Sequence, residues 1–136
     1  MDFDQVGAHE PVTITGEERE AAIVVPVVTR GAGESVLFIK RADHLSDHPG
    51  QMAFPGGGRE PEDADLLATA LREADEEIGL NPEAVHVVGR LDDIRTVTDY
   101  SVRPFVGRIP DREYHPSDDE VAEIVALPVA ALTDPH

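Results

Sequence analysis

The sequence contains no cysteine, which excludes disulfides, zinc–thiolate centres and cysteine nucleophiles. No apolar run approaches the roughly 18 residues that a membrane helix needs. The opening stretch MDFDQVGAHEPV has neither a basic region nor a hydrophobic segment, so a signal peptide is not expected and a cytoplasmic location is the default. Lysine is nearly missing too: Lys40 stands alone beside ten arginines. Against 11 basic residues there are 28 acidic ones, a formal net charge of −17. Such a surface argues against nucleic acid or an anionic membrane as partner. Self-repulsion of this size opposes the compact state in dilute buffer, and at about 1 M salt the screening length falls to about 3 Å. The charge is therefore read as adaptation to a salty cytoplasm.

What is present fits one domain of 136 residues. Residues 1–19 are polar and acidic and read as a loose arm, with the domain proper over 20–136. AAIVVPVV (21–28) and VLFIKR (36–41) read as a strand hairpin around RGAGES. Residues 42–63 are broken by glycine, proline and charge, and a loop of about 20 residues in a compact domain is usually functional. A helix is predicted over 65–78, with Leu67, Leu71, Ala74 and Ile78 on one stripe, Asp63 or Asp65 capping its start and Gly79 ending it. Residues 84–91 and 102–109 read as strands, and 120–129 as a last strand or short helix. The pattern is mixed α/β.

The end of that helix, READEEIG (72–79), places Glu73, Asp75, Glu76 and Glu77 where the backbone dipole prefers cations. Glu73 and Glu77 are also like charges four residues apart. At about 100° per residue, Glu73, Glu76 and Glu77 share one sector, expected to point away from the apolar stripe. A hard divalent cation such as Mg²⁺ would neutralise that repulsion, binding a few carboxylates plus waters and phosphate oxygens. Arg72 can orient one carboxylate through a bidentate pair. The alternative is a solvated acidic face. The preceding HPGQMAFPGGGRE (48–60) offers a backbone that a phosphate can approach closely, with Phe54-Pro55 as its apolar anchor.

GG…READEEIGL resembles the Nudix box, G-x5-E-x7-R-E-U-x-E-E-x-G-U with U apolar. Gly58, Arg72, Glu73, Ala74, Glu76, Glu77, Gly79 and Leu80 match. Ala64 stands where the first glutamate belongs, and Asp63, one position earlier, is its candidate substitute. In the family that glutamate braces the loop. Residues 37–57 are further similar to a signature of Nudix members that cleave coenzyme A, L-L-T-x-R-[SA]-x3-R-x3-G-x3-F-P-G-G. Leu37, Arg41, Ala42, Gly50, Phe54, Pro55, Gly56 and Gly57 are in register, while Phe38, Ile39 and Ser46 depart. Ser46 replaces the second arginine of that signature. The resemblance covers roughly residues 20–132.

The resemblance implies an α/β/α sandwich with a mixed sheet and hydrolysis of a diphosphate bond with Mg²⁺ or Mn²⁺. On coenzyme A the products would be 4′-phosphopantetheine and 3′,5′-ADP. It implies Glu73 and Glu77 as metal ligands, Glu76 as a third metal ligand or water-positioner, Arg72 as their orienting cation, Glu120 or Glu123 as a distal carboxylate for catalysis, and Arg41, Phe54, Gly56 and Gly57 as substrate contacts. The expected partner is a small-molecule diphosphate. Alternatives are another nucleoside diphosphate derivative (ADP-ribose, NADH or a nucleotide sugar) and a non-catalytic nucleotide-binding module. His44 and His48 are expected as loop residues, with phosphate contact or acid–base work as the alternative, Tyr100 as an adenine stacker or loop support, and Asp92, Asp93 and Asp99 as solvated turn residues. Members of the subfamily continue beyond the VALPVAAL region with a closing helix. A chain stopping at His136 is therefore expected to be a short form or fragment, with exposed sheet that favours a homodimer.

Overall fold

The apolar run at 21–28 lies inside a longer strand, β1 (Arg19–Arg30), at the centre of a mixed sheet. The computed structural model describes residues 19–130, apart from 32, 47, 97 and 98. The arm assigned to 1–19 thus falls outside the described residues, except for Arg19, which opens β1. Gly31 takes a positive φ of 60° and turns β1 into β2 (Gly33–Arg41), with Arg30 opposite Gly33, so the expected hairpin forms with a tighter turn. The chain continues through β3 (Met52–Ala53), β4 (Gly56–Gly58), helix α1 (Leu66–Ile78), β5 (His86–Arg90), β6 (Ile94–Arg95), β7 (Tyr100–Arg108) and β8 (Val121–Pro128). A 3₁₀ turn at Pro82–Ala84 links α1 to β5.

The central order is β3-β2-β1-β7-β5. β1 and β7 run parallel from Arg19↔Tyr100 to Val27↔Arg108, and the other pairings are antiparallel. On its other edge β1 changes partner, pairing β4 at Ala21–Ile23 and β2 from Val27 onward. Pro26 sits at this changeover, where its missing N–H interrupts no ladder bond. The strand alternative holds for most of 120–129: β8 pairs β2 from Ser35↔Pro128 to Arg41↔Val121. The irregular stretch expected over 42–63 contains β3 and β4, so the glycine triplet is a strand and not a loop.

Strand alternation divides the apolar residues between two faces. Ala22, Val24, Val28, Leu37, Ile39, Phe105 and Val121 meet α1 through Leu66, Ala70, Ala74 and Ile78. Val25, Val27, Val36 and Val106 form the opposite face with Phe38, Phe54 and Val88. The helix starts and stops as its sequence dictates. The Asp65 carboxylate accepts from the Ala68 N–H at 2.8 Å, and Gly79 (φ 70°) closes the last turn with its N–H on the Asp75 carbonyl. Its buried stripe differs from the expected one. Leu66, Ala70, Ala74 and Ile78 face the sheet, with Leu67 and Leu71 half-buried beside them, because the two alanines let the helix approach the strands closely. Among the described residues no helix is long and apolar enough to cross a membrane. Among the described residues, helix α1 against a mixed sheet places the chain in the α/β class.

Candidate active site

The rotation of α1 decides where the carboxylates go. Glu76 points outward as expected, its side chain 53% exposed. Glu77 does not: it is 5% exposed and sits among the helix's buried residues. The sector is therefore corrected, with one edge turned to solvent and the other to β4. A glutamate fits there because β4 carries no side chains. The Gly56 N–H donates to Glu77 Oε1 at 2.8 Å. A Cβ on Gly57 would lie 2.6 Å from Glu73 Cδ, and one on Gly56 would lie 2.3 Å from the Ala22 carbonyl oxygen. Gly56 is thus required by its approach to the β1 backbone, while Gly57 leaves the room that the Glu73 carboxylate takes.

Burial pushes the Glu77 carboxyl up to about 8, and the charges of Glu73, Asp118 and Glu120 add to this against the Gly56 hydrogen bond. Burial also raises Glu73, helped by Glu76 and Glu120 and opposed by Arg72. Asp63 behaves in the opposite way. Arg72 Nε donates to its Oδ1 at 2.9 Å and Nη2 to its Oδ2 at 3.0 Å, while the Thr69 hydroxyl and the Glu60 N–H also donate to Oδ2. The Arg72 guanidinium, then the Glu60 N–H, hold this carboxyl far below the usual range. Asp63 is therefore not the helix cap but a buried brace between the loop and α1. The rest of Arg72 spans the site: Nη1 lies 2.9 Å from Glu73 and 3.3 Å from Glu76, and Nη2 donates to the Gly58 carbonyl at 3.2 Å.

A second segment reaches the same place from far along the chain. The Ser117 hydroxyl donates to the Glu76 carbonyl at 2.6 Å and its N–H to the Glu77 carbonyl at 3.0 Å. Arg112 Nη2 donates to the Gly79 carbonyl at 2.8 Å. These bonds satisfy the open carbonyls at the end of α1. They dock the loop that carries Asp118 and Glu120 beside Glu73 and Glu77. Sequence reading singled out Glu120 but missed Ser117, Arg112 and Asp118. PSDDE has no local pattern that marks it, and only the tertiary contact with α1 does.

Arg41 closes β2 half-buried, its N–H on the Gln51 carbonyl, and the next residue, Ala42, donates its N–H to the Glu120 carbonyl. Arg41 and Glu120 thus stand at adjoining strand ends. Phe54 stacks on Phe38 at 4.6 Å between ring centroids, on the sheet face opposite α1. Glu123 lies opposite Lys40 and is exposed. His44, Ser46 and His48 are exposed on the 42–51 loop, where His48 takes a positive φ of 51°. Tyr100 opens β7 with the Arg19 guanidinium 4.4 Å above its ring. Asp92 and Asp99 are exposed, as expected of turn residues. Asp93 is not. It is buried, gripped by Arg103 Nε and Nη2 at 3.0 and 3.1 Å and by Arg90 Nη1 at 3.1 Å, because the chain from Leu91 to β6 runs back beside β7.

Among the described residues no three acidic or imidazole groups are already drawn together as a metal cluster. The donor chemistry nevertheless fits a hard cation. Glu73, Glu76 and Glu77 supply only oxygen ligands on adjoining helix turns, and burial, helped by the neighbouring carboxylates, raises Glu73 and Glu77, a cost that a divalent cation relieves.

The NUDIX domain family model matches residues 18–136. The chain is 50% identical over 114 residues to an uncharacterized Nudix hydrolase NudL of Cronobacter sakazakii, covering 83% of this chain and 59% of that protein. It is 38% identical over 126 residues to the Yersinia enterocolitica NudL, covering 92% and 64%. It therefore spans about three-fifths of the length of these relatives. Among solved structures, the NUDIX domain of Shewanella oneidensis NrtR complexed with ADP ribose superposes with a TM-score of 0.68 at 16% identity, covering 87% of this chain and 77% of that one. A C. elegans Ap4A hydrolase binary complex gives 0.67 at 17% identity, covering 78% and 77%. The match over 18–136 and the glycine strand set against the glutamate helix agree, and the chain belongs to the NUDIX domain family.

Proposed function

We propose that this chain is a cytoplasmic, divalent-metal-dependent hydrolase of a nucleoside diphosphate derivative, with coenzyme A as substrate. The observation that carries the reading is the buried Glu77 carboxylate, turned toward side-chain-free β4 beside Glu73, with Asp118 and Glu120 close enough to perturb it. A structural helix has no use for that arrangement, which is unfavourable until a cation enters. Glu73, Glu76 and Glu77 would hold Mg²⁺ or Mn²⁺, which would supply Lewis-acid polarisation of the phosphoryl oxygens.

The chain's own groups do the rest. The Gly56 N–H fixes Glu77 Oε1, and Arg72, anchored on Asp63, fixes Glu73. The bare edge of β4 admits the diphosphate. Arg41, at the strand end next to Glu120, meets its negative charge. The Glu120 carboxylate accepts the proton of the attacking water. The water oxygen bonds to one phosphorus, the bridging P–O bond breaks, and two phosphate monoesters leave. Positioning and electrostatics carry most of the rate in such transfers.

The coenzyme A assignment rests on the register of Leu37, Arg41, Ala42, Gly50 and Phe54–Gly57. Several of these also answer to packing: Ala42 is buried, Gly50 takes φ 70°, and Phe54 stacks. Arg41 is the charged member. Ser46, in place of the signature's second arginine, favours ADP-ribose or a dinucleotide as the competing substrate. A panel of coenzyme A, ADP-ribose, NADH and a nucleotide sugar decides between them. Highest kcat/KM on coenzyme A, reduced by Arg41→Gln, supports the assignment, and higher kcat/KM on another member overturns it.

A further inference from the structure

Around the end of β4 from the carboxylates lies a cavity of about 590 Å³, lined by Arg19, Glu20, Gly58, Arg59, Glu60 and Tyr100. Its size is within the roughly 300–1,000 Å³ of small-ligand sites. In a chain of formal net charge −17, two of the 11 basic residues face this one space, together with one of two tyrosines. The Arg19 guanidinium already lies 4.4 Å above the Tyr100 ring, so one planar group is accommodated there. Arg59 Nη1 pairs with Glu20 at 3.2 Å, but the two side chains are 36% and 49% exposed, and exposed pairs of this kind are weak and exchange partners readily.

The cavity adjoins the diphosphate site. Gly58 lines it, while its neighbour Gly57 faces Glu73 and its carbonyl accepts from Arg72. Successive strand residues face opposite sides, so a ligand that uses both must pass around β4. Three glycines leave that edge without side chains.

We propose that this cavity is the subsite for the phosphorylated nucleoside end of the substrate. The base stacks against Tyr100 and Arg19, and Arg59 exchanges Glu20 for the nucleoside's own phosphate. Glu20 and Glu60 are the acidic groups of the lining, and they suit an amino-bearing base such as adenine, whose exocyclic amine donates to a carboxylate. The assignment rests on the reading of diphosphate hydrolysis above, but nucleoside binding needs no turnover.

Calorimetric titration with 3′,5′-ADP and with 5′-AMP, in chelator so that no turnover or metal contact enters, tests it. The wild type is expected to bind 3′,5′-ADP about tenfold or more tighter than 5′-AMP. Arg59→Gln should lose that preference, Arg59→Lys should restore part of it, and Tyr100→Leu should weaken both ligands. No binding to the wild type, or an unchanged preference in Arg59→Gln shown folded by circular dichroism, overturns the subsite. Binding with the expected pattern in a protein that hydrolyses nothing supports the subsite and removes the proposed reaction. Hydrolysis of coenzyme A with binding indifferent to both positions removes the subsite alone.

Discussion

Glu77 is the residue on which the site turns. Its carboxylate is buried, hydrogen-bonded to one backbone N–H and surrounded by like charge. Glu77→Gln keeps the Gly56 bond through its carbonyl oxygen and cannot ionise. In chelator above about pH 8, where the wild-type carboxyl ionises, the variant should unfold at a temperature equal to or above the wild type, because an unpaired buried charge is costly. With Mg²⁺ or Mn²⁺ the wild type should gain stability and the variant should not. A variant that is less stable in chelator and still gains from the metal would contradict this role. Asp63 makes the opposite prediction for pH. Its folded carboxyl titrates below the unfolded value of about 3.9, so its contribution is fully present above that value and is lost as pH falls through it toward the folded one. Thermal midpoints of wild type and Asp63→Asn should differ at pH 7 and converge as pH drops below about 4. A gap that stays constant would mean that the Asp63 charge contributes nothing.

At the scale of elements, β4 and the end of α1 form one unit. Gly57→Ala places a Cβ against Glu73 Cδ, so Glu73 must shift. Hydrolysis is expected to fall by about a hundredfold, the effect of a misplacement of about 1 Å, in a protein that still folds. Activity within threefold of wild type would show that Glu73 is not held in place by β4. Ser117→Ala removes a hydroxyl donor from the Glu76 carbonyl and should cost about 1 kcal/mol in urea unfolding, with its N–H bond retained. The helix was legible because its signals are local: Asp65 caps, Gly79 stops, and the glutamates follow Arg72. Its rotation was not, since Leu67 and Leu71 outweigh Ala70 by hydrophobicity, while the sheet selects the small residues for close approach. β4 was missed because three glycines carry no strand propensity. They pair with β1 only because Pro55 and Ala21–Ile23 bring the backbones together. Asp93 resembled a turn residue until β7 supplied Arg103. The Ser117 contact joins residues 41 apart in sequence and has no local trace.

For the whole molecule the dominant fact is charge. A formal −17 on 136 residues repels itself and repels a polyanionic substrate. The ion pairs Arg72 with Asp63 and Arg103 with Asp93 are partly buried and little screened, whereas repulsion among the exposed carboxylates is strongly screened. The thermal midpoint and kcat/KM should therefore both rise from low salt to about 1 M KCl, where the screening length is about 3 Å. A flat or falling midpoint would contradict the reading of the surface as adapted to salt. The central claim, that Glu77 and its neighbours form a metal-dependent diphosphatase site, is tested most directly by hydrolysis of coenzyme A with and without Mg²⁺ or Mn²⁺, wild type against Glu77→Gln. Release of 3′,5′-ADP that requires the metal and is lost in the folded variant is the predicted result. Equal turnover by the two proteins, or turnover that persists in chelator, would contradict it.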